Sequence, residues 1–139
     1  MGSSTVNLKW IESHFMTGID SRGVPLPIGS YPEKDPPWLG VKPSDLLLLA
    51  AASCSTWDVA SILNKQREPL EGLETTCTGE QLSESPYCFT KIHLHYKVKG
   101  KVKPKNVEKA IKLSEEKYCS VTNTLRGSVE ITSSYSVEE

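Results

Sequence analysis

An α+β domain with a mainly antiparallel sheet is the fold class this sequence predicts, on three observations. Several segments alternate apolar and polar residues as strands do, and two others repeat at helical spacing. The order they make, β-β-α-β-β-α-β, joins strands in hairpins rather than through strict β-α-β units. At 139 residues, 37% hydrophobic and 24% charged, the chain is too short for two cores and too apolar for disorder, so residues 1–139 are expected to form one domain. A domain of this size buries roughly 68–70% of the surface its unfolded chain exposes, which is enough to fold without disulfides or a structural metal.

Residues 5–19 alternate as one strand whose apolar face is Val6, Leu8 and Trp10, resuming at Phe15, Thr17 and Ile19. Asp20-Ser21-Arg22-Gly23 makes a turn. Five of the nine prolines crowd into Pro25–Pro37, so a short second strand gives way to an irregular segment reaching Gly40. Pro43 suits the first turn of a helix, with Ser44 and Asp45 near its positive end. From Leu46 to Cys54 this helix has no polar face and is expected to be buried all round, with help from a second subunit, before ending near Arg67-Glu68-Pro69. Strands follow at 73–82 and 89–99. In the second, Ile92, Leu94, Tyr96 and Val98 face inward and Lys91, His93, His95, Lys97 and Lys99 outward. After a turn at Gly100, Pro104 opens a helix with Val107, Ile111, Ser114 and Tyr118 on one face, which delivers Cys119 at its C-terminal end. A last strand spans 128–137.

Charge excludes some functions. Sixteen lysines and arginines stand against seventeen acids, a net charge of -1, so no global field draws the chain to nucleic acid or to an anionic membrane. The longest uncharged apolar run, Leu46–Ala52, is far below the ~20 residues that span a bilayer, and no membrane role is expected. The start Met1-Gly2-Ser3-Ser4-Thr5-Val6 lacks the basic and apolar regions of a secretory leader and the Ser or Thr at position 6 of a myristoylation signal. A cytoplasmic location is expected. There, four cysteines read as thiols, and any disulfide would be catalytic or sensing rather than structural.

Cys54, on the buried helix among small residues, is the first candidate for chemistry, although most buried thiols are inert. Cys119 is the second. At a helix C-terminus the dipole disfavours its thiolate, which suits a resolving thiol better than an attacking one. Cys77, Cys88, His93 and His95 lack the short Cys-x2-4-Cys hook of structural zinc sites, so no metal is expected. Lys97, Lys99, Lys101, Lys103 and Lys105 form a basic stripe with no aromatic platform, which reads as a solvated turn rather than a nucleic-acid surface. Phosphate-loop, nucleophile-elbow and zincin motifs are missing.

The run Gly40-Val41-Lys42-Pro43-Ser44-Asp45-Leu46-Leu47-Leu48-Leu49-Ala50-Ala51-Ala52-Ser53-Cys54, with Lys117-Tyr118-Cys119-Ser120-Val121 downstream, resembles the OsmC/Ohr family, the osmotically inducible and organic hydroperoxide resistance proteins. The likeness extends to Asp58-Val59-Ala60-Ser61-Ile62-Leu63 and to Phe89–Tyr96. It implies an intertwined homodimer with sheets wrapped around central helices and a stress-response, antioxidant role. It also implies a peroxidase cycle without a cofactor: Cys54 attacks an organic hydroperoxide and becomes a sulfenic acid, Cys119 condenses with it to a disulfide, and an external dithiol reduces that disulfide.

The sequence departs from the family where a glutamate should follow the helix-start proline and pair with an arginine that activates the thiol. Ser44 stands there. Asp45, nine residues before Cys54, falls near 180° from it around a continuous helix and cannot simply take over. Of the three arginines, Arg22 best matches the region of the activating residue. Arg126 matches a family position with a more structural role, and Arg67 reads as a solvated helix end. Asp58, one turn beyond Cys54, shares its helix face; as a carboxylate it should raise the thiol pKa, and it could instead orient an arginine. A non-peroxidase member, sensing redox state or binding a small molecule under the Trp38-Leu39 loop, is the alternative.

Overall fold

The computed structural model describes residues 2–139; Met1, the first residue of the segment read for a leader, lies outside them. The chain divides into two compact units, one running to Leu47 and the other Leu48–Glu139.

In the first unit, β1 (Asn7–Glu12), β2 (His14–Ile19) and β3 (Pro25–Ser30) form an antiparallel sheet in chain order. The single opening strand expected over 5–19 is therefore a hairpin. Glu12 pairs with Phe15, Ser13 takes φ 55, and the Trp10 indole N–H donates to the Ser13 carbonyl at 2.8 Å. Tight hairpin turns need positive φ, which Asn-Gly or Asp-Gly usually announces; a serine there gives no such sign, and the alternation runs on across the turn. Gly29 is required in β3: its φ is 96, and a Cβ would run into the His14 carbonyl. This sheet buries little. Leu8 and Trp10 are 63% and 66% exposed, and an apolar groove of about 460 Å³ runs among Val6, Leu8, Met16, Val24, Leu26 and Leu46.

The second unit is built on a sheet of order β4-β5-β6. β4 (Gly72–Gln81) and β5 (Phe89–Lys99) pair antiparallel, and β6 (Glu130–Glu138) lies parallel to β5. A parallel neighbour requires a crossover. It is made by α2 (Pro104–Leu113), a π-helical turn (Ser114–Tyr118) and α3 (Ser120–Leu125). The α+β class with mostly antiparallel pairing holds; the order is β-β-β-α-β-β-α-α-β, on two sheets rather than one.

The core of this unit follows the alternation of β5: Ile92, Leu94, Tyr96 and Val98 are fully buried against Val59, Leu63, Val107 and Ala110. Each such side chain contributes roughly 1.5–3 kcal/mol of burial. Helix α1 (Pro43–Lys65) buries one stripe, Ala51, Ser55, Val59 and Leu63, at four-residue spacing. Within a single chain it is not buried all round as its composition suggested: Leu49 is 53% and Trp57 77% exposed, because one sheet covers only one helix face. By length and mean hydropathy alone α1 could cross a membrane, a property hidden from a count of uninterrupted apolar residues by Ser53, Ser55 and Thr56.

Candidate active site

Cys54 sits on α1, one residue before the buried stripe position Ser55, and is half-buried. Cys119 is fully buried. The fold brings them together: the sulfurs of Cys54 and Cys119 and a carboxylate oxygen of Asp58 all lie within 4.8 Å of one another. Both cysteines are free thiols.

The π turn explains how Cys119 arrives there. The Cys119 N–H donates to the Ser114 carbonyl at 2.9 Å, five residues back, so the helix widens and ends. Cys119 then turns extended, φ -75 and ψ 107, and caps α3, its sulfur accepting from the Thr122 N–H at 3.4 Å. The expectation of a thiol at a helix C-terminus is thus corrected. The repeat Val107, Ile111, Ser114, Tyr118 continues helical spacing across the break, which is why the sequence did not mark it. Insertion of one residue into a helical turn commonly marks a functional site.

This arrangement polarises the two thiols differently. Burial acts to raise the Cys54 pKa, but hydrogen bonds from the Val121 N–H, from Cys119, and from the Ser120 hydroxyl and N–H outweigh it and hold the thiol below its ordinary value. The Ser120 hydroxyl lies 3.9 Å from the Cys54 sulfur. Cys119 is pushed up, by burial first and by the neighbouring Cys54. The first proton to leave the pair is therefore that of Cys54, and Cys119 remains the donor.

Of the charged residues singled out in the sequence, only Asp58 joins the sulfurs. Its Oδ2 accepts from the Ser114 hydroxyl at 2.9 Å, and among the described residues no arginine bonds to it. Arg126 is the C-cap of α3, and its guanidinium donates to the Glu115 carbonyl, tying α3 to the π turn. Arg22 lies in the β2–β3 turn of the first unit, where its N–H donates to Asp20 Oδ1 at 2.9 Å. Asp45 occupies the first turn of α1. Arg67, at φ 58, closes the end of α1, its N–H donating to the Asn64 carbonyl.

Sequence reasoning missed the Ser120 and Val121 amides, since backbone donors carry no residue signature, and the role of Ser114. Tyr96, placed on the inward face of its strand by the sequence, is fully buried, and burial pushes its pKa up to about 12 against the Ser55 side chain, which acts to lower it. A cleft of about 470 Å³ opens between Trp57, Asp58, Ile62, Lys65, Leu113 and Tyr118, and Asp58 is the residue it shares with the sulfur cluster. His93 and His95, outward on β5 as expected, bond instead to the hydroxyls of Thr132 (2.6 Å) and Ser134 (2.8 and 2.7 Å) on β6.

Comparison with known proteins gives this geometry a context. The family model described as OsmC-like protein matches residues 34–134. Protein YhfA of Escherichia coli strain K12 is 39% identical over 132 residues, which cover 94% of this chain and 95% of that protein. A hypothetical protein from Aquifex aeolicus VF5 has a similar solved structure: TM-score 0.88, 31% identity, covering 100% of this chain and 99% of that one. An organic hydroperoxide resistance protein OsmC from Legionella pneumophila shares the fold at TM-score 0.70 and 18% identity, covering 98% of each chain.

Proposed function

The chain belongs to the OsmC-like protein family, and on that premise we propose that it is a cysteine-based peroxidase acting on organic hydroperoxides. The observation that carries the reading is the approach of the Cys54 and Cys119 sulfurs within 4.8 Å. In the cycle, the Cys54 thiolate attacks the terminal peroxide oxygen; the O–O bond breaks and the alkoxide takes a proton to leave as alcohol. Cys54 becomes a sulfenic acid. The Cys119 sulfur attacks it, and the sulfenic oxygen departs with the Cys119 proton as water, leaving a disulfide. An external dithiol restores both thiols by two exchange steps.

Ser44 removes the glutamate that the family resemblance links to an activating arginine. In this reading the Ser120 and Val121 N–H groups and the Ser120 hydroxyl take that place, stabilising the attacking thiolate without a cation. The cleft with exposed Trp57 and Tyr118 accepts the organic part of the substrate. The uncovered Leu49 and Trp57 face of α1 supports a homodimer, and four free thiols suit the reducing cytoplasm.

The test is intact-mass and peptide-map spectrometry after one equivalent of cumene hydroperoxide, with turnover followed under excess dithiol. A Cys54–Cys119 disulfide with repeated turnover, both lost in Cys54→Ser, is expected. Full turnover in Cys54→Ser overturns the reading. A second reading, a redox sensor, is favoured by Ser44; it predicts the disulfide without sustained turnover.

A further inference from the structure

Asp58 is out of place in a site that only needs a thiolate. A carboxylate next to a nucleophilic sulfur opposes its ionisation, and neither an ion pair nor a hydrogen bond from lysine or arginine neutralises Asp58 among the described residues. Three groups that can each carry a negative charge, Cys54, Cys119 and Asp58, thus converge with their donor atoms within 4.8 Å. What such a set favours is a cation.

We propose that the reduced chain holds a divalent cation of the zinc class between the sulfurs of Cys54 and Cys119 and the carboxylate of Asp58. The donor chemistry selects it: two thiolates and one carboxylate suit Zn²⁺, whereas Mg²⁺ and Ca²⁺ take oxygen. Zinc binds sulfur at about 2.3 Å and carboxylate oxygen at about 2.0–2.2 Å, so tetrahedral donors stand roughly 3.6–3.8 Å apart. From within 4.8 Å, side-chain rotation of about an ångström closes the set.

The groups around the donors also fit. The Ser114 hydroxyl, at 2.9 Å, fixes one oxygen of Asp58 and leaves the other free, and the Thr122 N–H donates to the Cys119 sulfur at 3.4 Å. Such outer contacts orient ligands and offset the excess negative charge of two thiolates and a carboxylate on one dication. Three protein ligands leave a fourth position open to water, and while bound the cation occupies the lone pairs that Cys54 would use in attack. The cation thus acts as a reversible block on the thiols. Spacing gave no warning, since the three donors come from α1 and from the cap of α3 rather than from a short Cys hook.

The proposal stands apart from the peroxidase reading because its test uses no peroxide. Reduced, chelator-stripped full-length chain is titrated with Co²⁺, then Zn²⁺, against a chromogenic chelator. Expected are thiolate-to-cobalt charge-transfer bands saturating at one equivalent, displacement by Zn²⁺, and a Zn²⁺ affinity at least about tenfold weaker in Asp58→Asn, with a smaller loss in Ser114→Ala. Absence of the bands, or unchanged affinity in Asp58→Asn, overturns it. A second measurement needs no variant: Zn²⁺ should shield Cys54 and Cys119 of the unmodified chain from iodoacetamide while the exposed Cys88 is alkylated at its usual rate. Equal alkylation of Cys54 with and without Zn²⁺ also overturns it.

Discussion

The two three-stranded sheets carry similar alternating sequences and differ in what lies over them. On β1 the apolar side chains Leu8 and Trp10 are mostly exposed, whereas on β5 Ile92, Leu94, Tyr96 and Val98 are fully buried beneath α1 and α2. Period-two alternation therefore reports which residues share a face and is silent on whether this chain covers that face. The second unit has its own buried core and holds both Cys54 and Cys119. The first presents apolar surface of the kind a partner covers.

The sharpest break in this contrast comes from paired truncations. Leu94→Ala should destabilise the fold by about 2–5 kcal/mol, and Leu8→Ala, 63% exposed, should stay within about 0.5 kcal/mol; urea unfolding of both at low protein concentration measures the difference. Comparable losses would mean that the first sheet is as consolidated as the second.

Titration tests how dry the second interior is. Tyr96 has its folded-state pKa raised from 10.0 to about 12 by burial. Its contribution is complete below pH 10 and is lost as pH rises toward 12, because the unfolded chain releases the phenolic proton first. The loss should be roughly 2–3 kcal/mol across that window, read from unfolding free energies at successive pH values. Tyr96→Phe should remove this alkaline limb. At neutral pH it should change stability by no more than about 1 kcal/mol, since the burial of the hydroxyl and its interaction with Ser55 oppose each other. Destabilisation by more than that would mean a stronger polar partner inside the core.

The smallest effect tests whether the thiol is tuned wholly within the second unit. Cys54 has a lowered pKa, so its thiolate persists to lower pH than an unperturbed thiol's. Ser120→Ala deletes one of the hydrogen bonds responsible and should shift the alkylation-rate profile of Cys54 toward higher pH. An unshifted profile would assign the tuning to the backbone amides alone.

How much of this was legible depended on whether the signal lay in side chains. Strand β5 was read with its observed bounds, 89–99, because hydrophobic alternation and burial coincide along it. The β1–β2 turn was missed because Ser13 adopts positive φ without the residue types that normally do so. The break between α2 and α3 was missed because the π turn keeps Ser114 and Tyr118 on the helical pattern. In the site, Cys54 and Cys119 were candidates from their places on predicted helices and were paired through the family resemblance, and Asp58 was noticed through its one-turn offset from Cys54. The amides that tune Cys54 belong to residues whose side chains predict nothing about their N–H direction.

The parallel pairing of β6 with β5 also bears on the order of events during synthesis. A chain emerges N-terminal part first, and a pairing that must wait for a long crossover is among the slower steps of folding. Cys54 is made well before Ser120 and Val121, and α3 is fixed only when the crossover closes with β6 beside β5. Until those amides are in place the hydrogen bonds that lower the Cys54 pKa are missing, and the nascent helix carries an ordinary thiol.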